Sequence, residues 1–285
     1  MKLYSVLSNA YRLDGGAMFG NAPKQVWEKW LPADDRNQIS LATRAFLAVT
    51  SHAVVLFDAG IGAYMEPKFR ERYKVEGHWQ RLLTSLDERG YAHTDVTDVI
   101  ISHLHFDHAG GLLSAWEEGR PPELLFPHAR YYVSDAAWER AVHPHVRDRA
   151  SFITPLNELL EESGRLVRLG VEARLGFDEL DVRFIRSDGH TPGLLCPDLR
   201  WDQQRAVFAS DLVPGRAWVH LPITMGYDRY PELLISEKNG LLTSIAEDHA
   251  WLCYVHDPEM AMSKIQFDPE HNTFIPVESV AECVL

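Results

Sequence analysis

The chain has 285 residues, 46% of them hydrophobic and 24% charged, with a formal net charge of −13. That suits one large domain or two small ones with an ordinary buried core, and the acidic balance argues against a nucleic-acid surface, which would cluster Lys and Arg. Three scattered cysteines make no disulfide framework, no signal peptide's apolar core is present, and no stretch approaches the ~20 apolar residues of a membrane span, so a soluble cytoplasmic protein is expected.

Residues 2–7 alternate and read as a first strand. Residues 9–40 read as a long excursion holding Gly15-Gly16-Ala17-Met18-Phe19-Gly20 and Trp27-Glu28-Lys29-Trp30-Leu31-Pro32. Loops of this length are usually functional, and Met18, Phe19, Trp27 and Trp30 are costly to leave in water. A lid over a site, or an arm in a homodimer, is expected. Residues 41–49 and 53–57 follow as strands, then Asp58-Ala59-Gly60-Ile61-Gly62 as a Gly-rich turn. Residues 67–73 and 78–89 read as helices, the second with Leu82, Leu83 and Leu86 on one face and Gly90 as its stop. The run 96–101 reads as a buried strand.

Further on, residues 130–133 read as a strand and 134–142 as a helix capped by Ser134 or Asp135. His143-Pro144-His145 reads as a solvated loop. Residues 154–162 form a helix with Thr154 as cap and Pro155 at its first position. Strands are expected at 166–169, 181–187, 194–199 and 206–210, a helix at 231–248, and last strands at 251–255 and 264–267. Cys253 falls in an apolar run and reads as core. No Ser- or Gly-rich linker divides the chain.

The chemistry concentrates in Ser102-His103-Leu104-His105-Phe106-Asp107-His108-Ala109-Gly110-Gly111, directly after a buried strand. Neutral imidazole and carboxylate suit zinc and similar divalent ions. In an extended loop His103 and His105 point the same way and can face one ion; Asp107 and His108, a short turn on, can face a neighbour. Gly110-Gly111 then open an apolar segment that reads as the start of a helix. Downstream lie Ser187-Asp188-Gly189-His190-Thr191-Pro192-Gly193, Phe208-Ala209-Ser210-Asp211-Leu212 and Cys253-Tyr254-Val255-His256-Asp257-Pro258, each at the end of a strand-like run.

This series resembles the metallo-β-lactamase superfamily, whose signature is His-x-His-x-Asp-His, and the resemblance spans nearly the whole chain. It implies one α/β domain over 1–285, a four-layer αββα sandwich of two mixed β-sheets flanked by helices. It implies that His103, His105 and His190 hold one divalent ion, that Asp107, His108 and His256 hold a second, and that Asp211 bridges them. Zn2+ is the expected metal, with Fe, Mn or Co as alternatives. Asp58 would support the ligands from behind, as metal-binding imidazoles need. Two such ions lie ~3.5–4 Å apart and can share a water whose pKa falls to ~7, so that a bridging hydroxide attacks a carbonyl or phosphoryl centre.

The same set discriminates within the superfamily. Class B β-lactamases place Cys where Asp211 stands; flavodiiron oxidases carry Glu where His105 stands and add a flavodoxin domain. Persulfide dioxygenases lack a complete second site, transfer-RNA processing enzymes need an RNA-binding arm, and glyoxalase II has a basic helical tail where this chain reads as strands. The nearest likeness is to the quorum-quenching N-acyl-homoserine lactonases. It is carried by Asp14-Gly15-Gly16-Ala17-Met18-Phe19-Gly20, by the His motif, and by Asp211-Leu212-Val213-Pro214 with Met225-Gly226-Tyr227-Asp228. Cys196-Pro197-Asp198 and Arg44-Ala45-Phe46 depart from that group, which bears on the substrate.

The expectation is therefore a dinuclear hydrolase opening a lactone or related carboxylic ester. Asp107 and Asp211 would be central to catalysis. Tyr227 is a candidate donor to the substrate's oxyanion or leaving oxygen, with a half-buried aromatic as the alternative. Met18, Phe19 and His220 are candidate substrate contacts, with a surface or core position as the favoured alternative for His220. A phosphodiester or organophosphate hydrolase on the same metals is the first alternative, an iron-dependent redox enzyme the second. The partner is a small molecule, with neither nucleic acid nor membrane.

Overall fold

The structure, a computed structural model, describes residues 1–76 and 81–285. Strands β1 (Lys2–Asp14) and β2 (Gln38–Val49) pair antiparallel along nearly their whole length and set its frame. Between them lie two short helices, α1 (Gly15–Phe19) and α2 (Lys24–Trp27). The Asp14 carboxylate caps α1 by accepting from the Ala17 N–H at 2.8 Å. β3 (Val54–Phe57), β4 (Asp98–Ile100), β5 (Arg130–Ser134) and β6 (Leu166–Leu169) complete a six-stranded sheet in the order β1-β2-β3-β4-β5-β6.

β3 through β6 run parallel. Parallel neighbours cannot be joined by a tight turn, so the chain crosses over outside the sheet. It does so through α3 (Pro67–Arg72) and α4 (Arg81–Asp87), then α5 (Phe106–Ala109), then α6 (Asp135–Val142) and α7 (Thr154–Glu162). The second sheet has seven strands: β7 (Leu175–Phe177), β8 (Leu180–Ser187), β9 (Leu194–Trp201), β10 (Gln204–Phe208), β11 (Trp251–Cys253), β12 (Met262–Asp268) and β13 (Thr273–Val280). They pair in reverse chain order, and α8 (Pro231–Glu247) makes the crossover between the parallel pair β10 and β11.

Three apolar cores separate four layers. Phe46, Phe57 and Ile100 of the first sheet meet Leu195, Leu199 and Phe208 of the second. Leu86, Trp138 and Leu156 cover the outer face of the first sheet, and Leu234, Leu241 and Ile245 of α8 cover the second. This is the αββα sandwich. The three cysteines are free and buried. Among the described residues no helix is long and apolar enough to cross a membrane.

Several expectations need correction. The first strand does not stop at residue 7. It runs to Asp14, past a bulge between Leu7 and Asn9 that shifts the phase of its burial and hides the continuation from a period-two reading. Residues 9–40 are therefore strand, two helices and the start of β2 rather than one loop. Thr154 is the first residue of α7, not its cap, because Ile153 holds the extended cap conformation. The segment after Gly110 makes only a single tight turn, Gly110–Leu112; the helix begins earlier, at Phe106. The expected helix at 78–89 is present as Arg81–Asp87, its first three residues lying outside the described ones. β13 lies beyond the last strand expected, at 264–267, and carries Pro276. It is an edge strand, where a missing N–H is tolerated.

Candidate metal centre

The His motif splits by conformation as it leaves β4. His105 is extended and Phe106–Ala109 is one helical turn, and His103 and His105 fall in one group of potential ligands while Asp107 and His108 fall in another. Gly111 allows the next turn to press on Ala59 of the Asp58 turn; a Cβ there would collide with the Ala59 carbonyl. His190 follows β8, Asp211 follows β10, and His256 follows β11, all at one end of the sandwich. The potential ligands form two buried groups: His103, His105, His190 and Asp211, then Asp107, His108 and His256. Within each group the nearest donor atoms lie within 4.8 Å of one another.

Asp211 joins the groups. Its Oδ2 lies 3.2 Å from His190 Nε2 and 4.0 Å from His103 Nε2. Its Oδ1 lies 3.0 Å from His256 Nε2 and 3.3 Å from His108 Nε2. Each carboxylate oxygen thus faces a different cluster.

Partners behind the imidazoles decide which nitrogen faces inward. Asp58 accepts from the Ser102 N–H and hydroxyl, each at 2.7 Å, and from His108 Nδ1 at 2.8 Å. Nδ1 therefore carries the proton and Nε2 presents its lone pair. His190 Nδ1 donates to Asp228 at 2.8 Å, and His256 Nδ1 to the Ala42 carbonyl at 2.8 Å. The supporting role expected of Asp58 matches this geometry. The roles of Asp228 and of Ala42's carbonyl were missed; Asp228 stands in the quoted Met225-Gly226-Tyr227-Asp228, which was the available signal.

Two further supports were not read as such from the sequence. The Tyr11 hydroxyl donates to Asp107 Oδ2 at 2.8 Å. Arg44, fully within the fold, donates to the carbonyls of Tyr254 and Asp257 at 3.1 and 3.0 Å and so ties β2 to the loop carrying His256. Tyr11→Phe should lower metal affinity or hydrolysis by roughly 10–100-fold, the range for such supporting partners. Competition with a chelator and initial rates would check this; an unchanged variant would reduce the hydroxyl to space-filling.

The donor set fits divalent metal ions. His103 Nε2 and His105 Nδ1 are 3.0 Å apart, and His105 Nδ1 and His190 Nε2 are 3.3 Å apart. Burial and the neighbouring imidazoles hold His103 and His105 well below the usual histidine range, so both stay neutral, as ligands must. His108 Nε2 and Asp211 Oδ1 are buried with no hydrogen-bond partner. The Asp211 carboxylate lies among the inward Nε2 atoms of His108, His256 and His190, at 3.3, 3.0 and 3.2 Å. A carboxylate among convergent imidazole lone pairs is the environment that a hard-to-borderline dication neutralises.

Above the clusters lies a cavity of about 250 Å³, lined by His105, Asp107, His190, Asp211 and His256 together with Tyr11, Met18 and Tyr227. Met18 and Tyr227 are thus where a substrate contact should be. Phe19 and His220 are not. Phe19 is fully buried, stacked between Trp27 and Trp218, and His220 stacks on Trp30 in a separate groove. Phe19 and Trp27 are stacked in the chain's own core, where large rings bury much apolar surface. Burial and the charge of Asp107 push the Tyr227 phenol up to about 12, so it is a hydrogen-bond donor at neutral pH. Cys196, one of the departures from the lactonase pattern, is buried in β9 and donates to the Ala209 carbonyl, away from the cavity.

A four-layer sandwich with His and Asp clusters at the strand ends defines a class of metal-binding hydrolases. Residues 41–256 match the family described as the metallo-beta-lactamase superfamily, and the chain belongs to it. It is similar to an N-acyl homoserine lactonase of Bacillus thuringiensis, 22% identical over 79% of this chain and 85% of that protein. Among solved structures, a probable metal-dependent hydrolase from Staphylococcus aureus superposes with a TM-score of 0.84 at 26% identity, covering 98% of this chain and 97% of that one. The dizinc quorum-quenching lactonase AidC superposes with a TM-score of 0.72 at 18% identity, covering 97% and 93%.

Proposed function

We propose that the chain opens a lactone, or hydrolyses a related carboxylic ester with an apolar acyl part, on two divalent ions, Zn2+ foremost. One observation carries the reading: Asp211 offers one oxygen to each of two buried ligand clusters. Ions held by His103, His105 and His190, and by Asp107, His108 and His256, would supply a nucleophilic water of lowered pKa and polarise the substrate oxygen. The chain's own residues do the rest. Asp58, Asp228 and the Ala42 carbonyl keep the imidazoles oriented, and Tyr11 holds Asp107. Tyr227 donates to the oxygen on which charge develops.

A second observation supports an acyl substrate. A cleft of about 470 Å³ shares Tyr73, Phe106 and Ala150 with the metal cavity and continues along Tyr64, Phe69 and Phe152. Its walls suit an apolar chain. The curated relatives of this chain are N-acyl homoserine lactonases, which fits that class of substrate.

Metal-replete protein should hold about two ions per chain by elemental analysis, as a two-metal site requires. It should convert an acyl-homoserine lactone to one product, heavier by one water. Free homoserine lactone with fatty acid would mean amide cleavage. Phosphoester turnover without any lactone opening would replace the reading with a phosphoester hydrolase.

A further inference from the structure

The metal cavity has a cationic wall that the lactone chemistry leaves without a role. Arg147 and Arg229 both line it. The Arg229 side chain is 13% exposed, and its Nε and Nη1 are buried with no hydrogen-bond partner among the described residues. The facing carboxylate, Asp148 Oδ2, is 3.9 Å away and already accepts from Arg140 Nε and Nη2 at 2.9 and 2.6 Å. Arg147 donates to the Gly226 carbonyl at 2.7 Å. Two guanidinium groups, those of Arg140 and Arg229, thus share the Asp148 carboxylate, whose Oδ1 has no hydrogen-bond partner among the described residues, and Arg147 adds a third positive charge on the cavity wall.

A buried cation without a partner is costly, and an unsatisfied buried donor asks for an explanation. Arg229 cannot escape its position. Its N–H donates to the Gly189 carbonyl at 2.9 Å, beside His190, and its neighbour Asp228 holds the His190 ring. The backbone of Arg229 is thus held beside His190, and its side chain lines the same cavity as His105 and His190. A guanidinium offers five donors in a plane that matches a carboxylate's two oxygens.

We propose that the substrate carries a carboxylate, bound by Arg229 with Arg147. The proposal rests on the hydrolase reading above and deepens it: beside an apolar acyl part the preferred lactone or ester carries a carboxylate, and neutral acyl-homoserine lactones are opened with a lower kcat/KM. The carboxylate is a spectator. Water adds across the ring ester: its oxygen joins the acyl carbon, the ring C–O bond breaks, and the proton ends on the released alkoxide.

The test compares 5-oxotetrahydrofuran-2-carboxylate with the corresponding carboxamide, a neutral isostere whose amide is not cleaved, on metal-loaded protein. Wild type should favour the acid by about tenfold or more in kcat/KM, the scale of one charged hydrogen-bonded contact. Arg229→Gln should bring the acid-to-amide ratio close to one. Arg147→Gln, at an exposed position and so safe for folding, should lower the same ratio by a smaller factor. Equal use of the two lactones by wild type, or an unchanged ratio in both variants, overturns the proposal. If neither lactone is opened, the hydrolase reading is at fault, and calorimetry decides the carboxylate site separately. The ring-opened diacid 2-hydroxyglutarate should then bind wild type more tightly than 4-hydroxybutyrate by about tenfold, and Arg229→Gln should erase that gap. Equal affinity of wild type for the two acids overturns the site.

Discussion

Asp211→Asn is expected to lower turnover by roughly 10²–10³-fold or more, the scale for deleting one preorganised electrostatic group, while the fold survives. The substitution keeps size and shape but removes the charge that faces both clusters. It also turns one oxygen into an NH2, which cannot accept. That group would point at His190 and His103 or at His256 and His108, whose inward nitrogens are themselves lone-pair donors. Metal content should fall together with activity, and circular dichroism should stay unchanged because the apolar cores do not include this side chain. Near-normal rates in a folded variant would remove Asp211 from its bridging place.

The ligand set was readable because each member sits at a strand end, and four of them are neighbours in one motif. Strand ends are exposed to periodicity analysis in a way that tertiary supports are not. Tyr11 reaches Asp107 across 96 residues of sequence. Its strand was obscured by the bulge at Leu7/Asn9, so nothing local marked it as part of the centre. Asp58 was readable because it follows a clear strand; Arg44 was not, since a buried guanidinium that bonds backbone carbonyls has no sequence pattern of its own.

In the sequence, Met18, Phe19, Trp27 and Trp30 are expected to form a lid or dimer arm because they are costly to leave in water, and His220 is weighed as a pocket residue because it lies between Asp211 and Tyr227. The structure sorts them by packing. A continuous stack of Trp27, Phe19 and Trp218, with the Trp218 indole N–H donating to the Met18 carbonyl at 3.0 Å, closes the core under the second sheet. Met18 alone of that group reaches the metal cavity. The aromatics that do wall the neighbouring cleft, among them Tyr73, Phe106 and Phe152, are spread over three separate segments that only the fold brings together.

Lys238→Met is expected to destabilise the protein by about 3–5 kcal/mol, the cost of breaking a buried polar cluster from one side. Lys238 lies on α8 and is fully buried, yet it donates to three carbonyls, those of Trp218, His220 and Ile223, at 3.1, 3.0 and 2.6 Å. These carbonyls belong to the segment leading into Asp228, so the amine fixes the approach to the residue that orients His190. Its neighbour Glu237 does the same for the other side, accepting from the N–H groups of Asp188 and Gly189 at 2.9 and 3.1 Å. Methionine fills the space and strands all three acceptors. The loss should appear as a drop in the urea midpoint, with His190-dependent metal affinity falling too.

The same lysine gives stability a pH dependence. Burial pushes its ammonium down to about 7, against an ordinary value of about 10.5 in the unfolded chain. Between those values the unfolded state binds the extra proton, so stability rises with pH by about 1.4 kcal/mol per unit at most. The contribution is complete above the unfolded value and is lost as pH falls through about 7. Urea unfolding of wild type and Lys238→Met from neutral to mildly alkaline pH should therefore diverge, with wild type gaining on the variant. Parallel curves would mean that the three carbonyls keep the ammonium charged in the folded state, and that its hold on the Trp218–Ile223 segment is insensitive to pH.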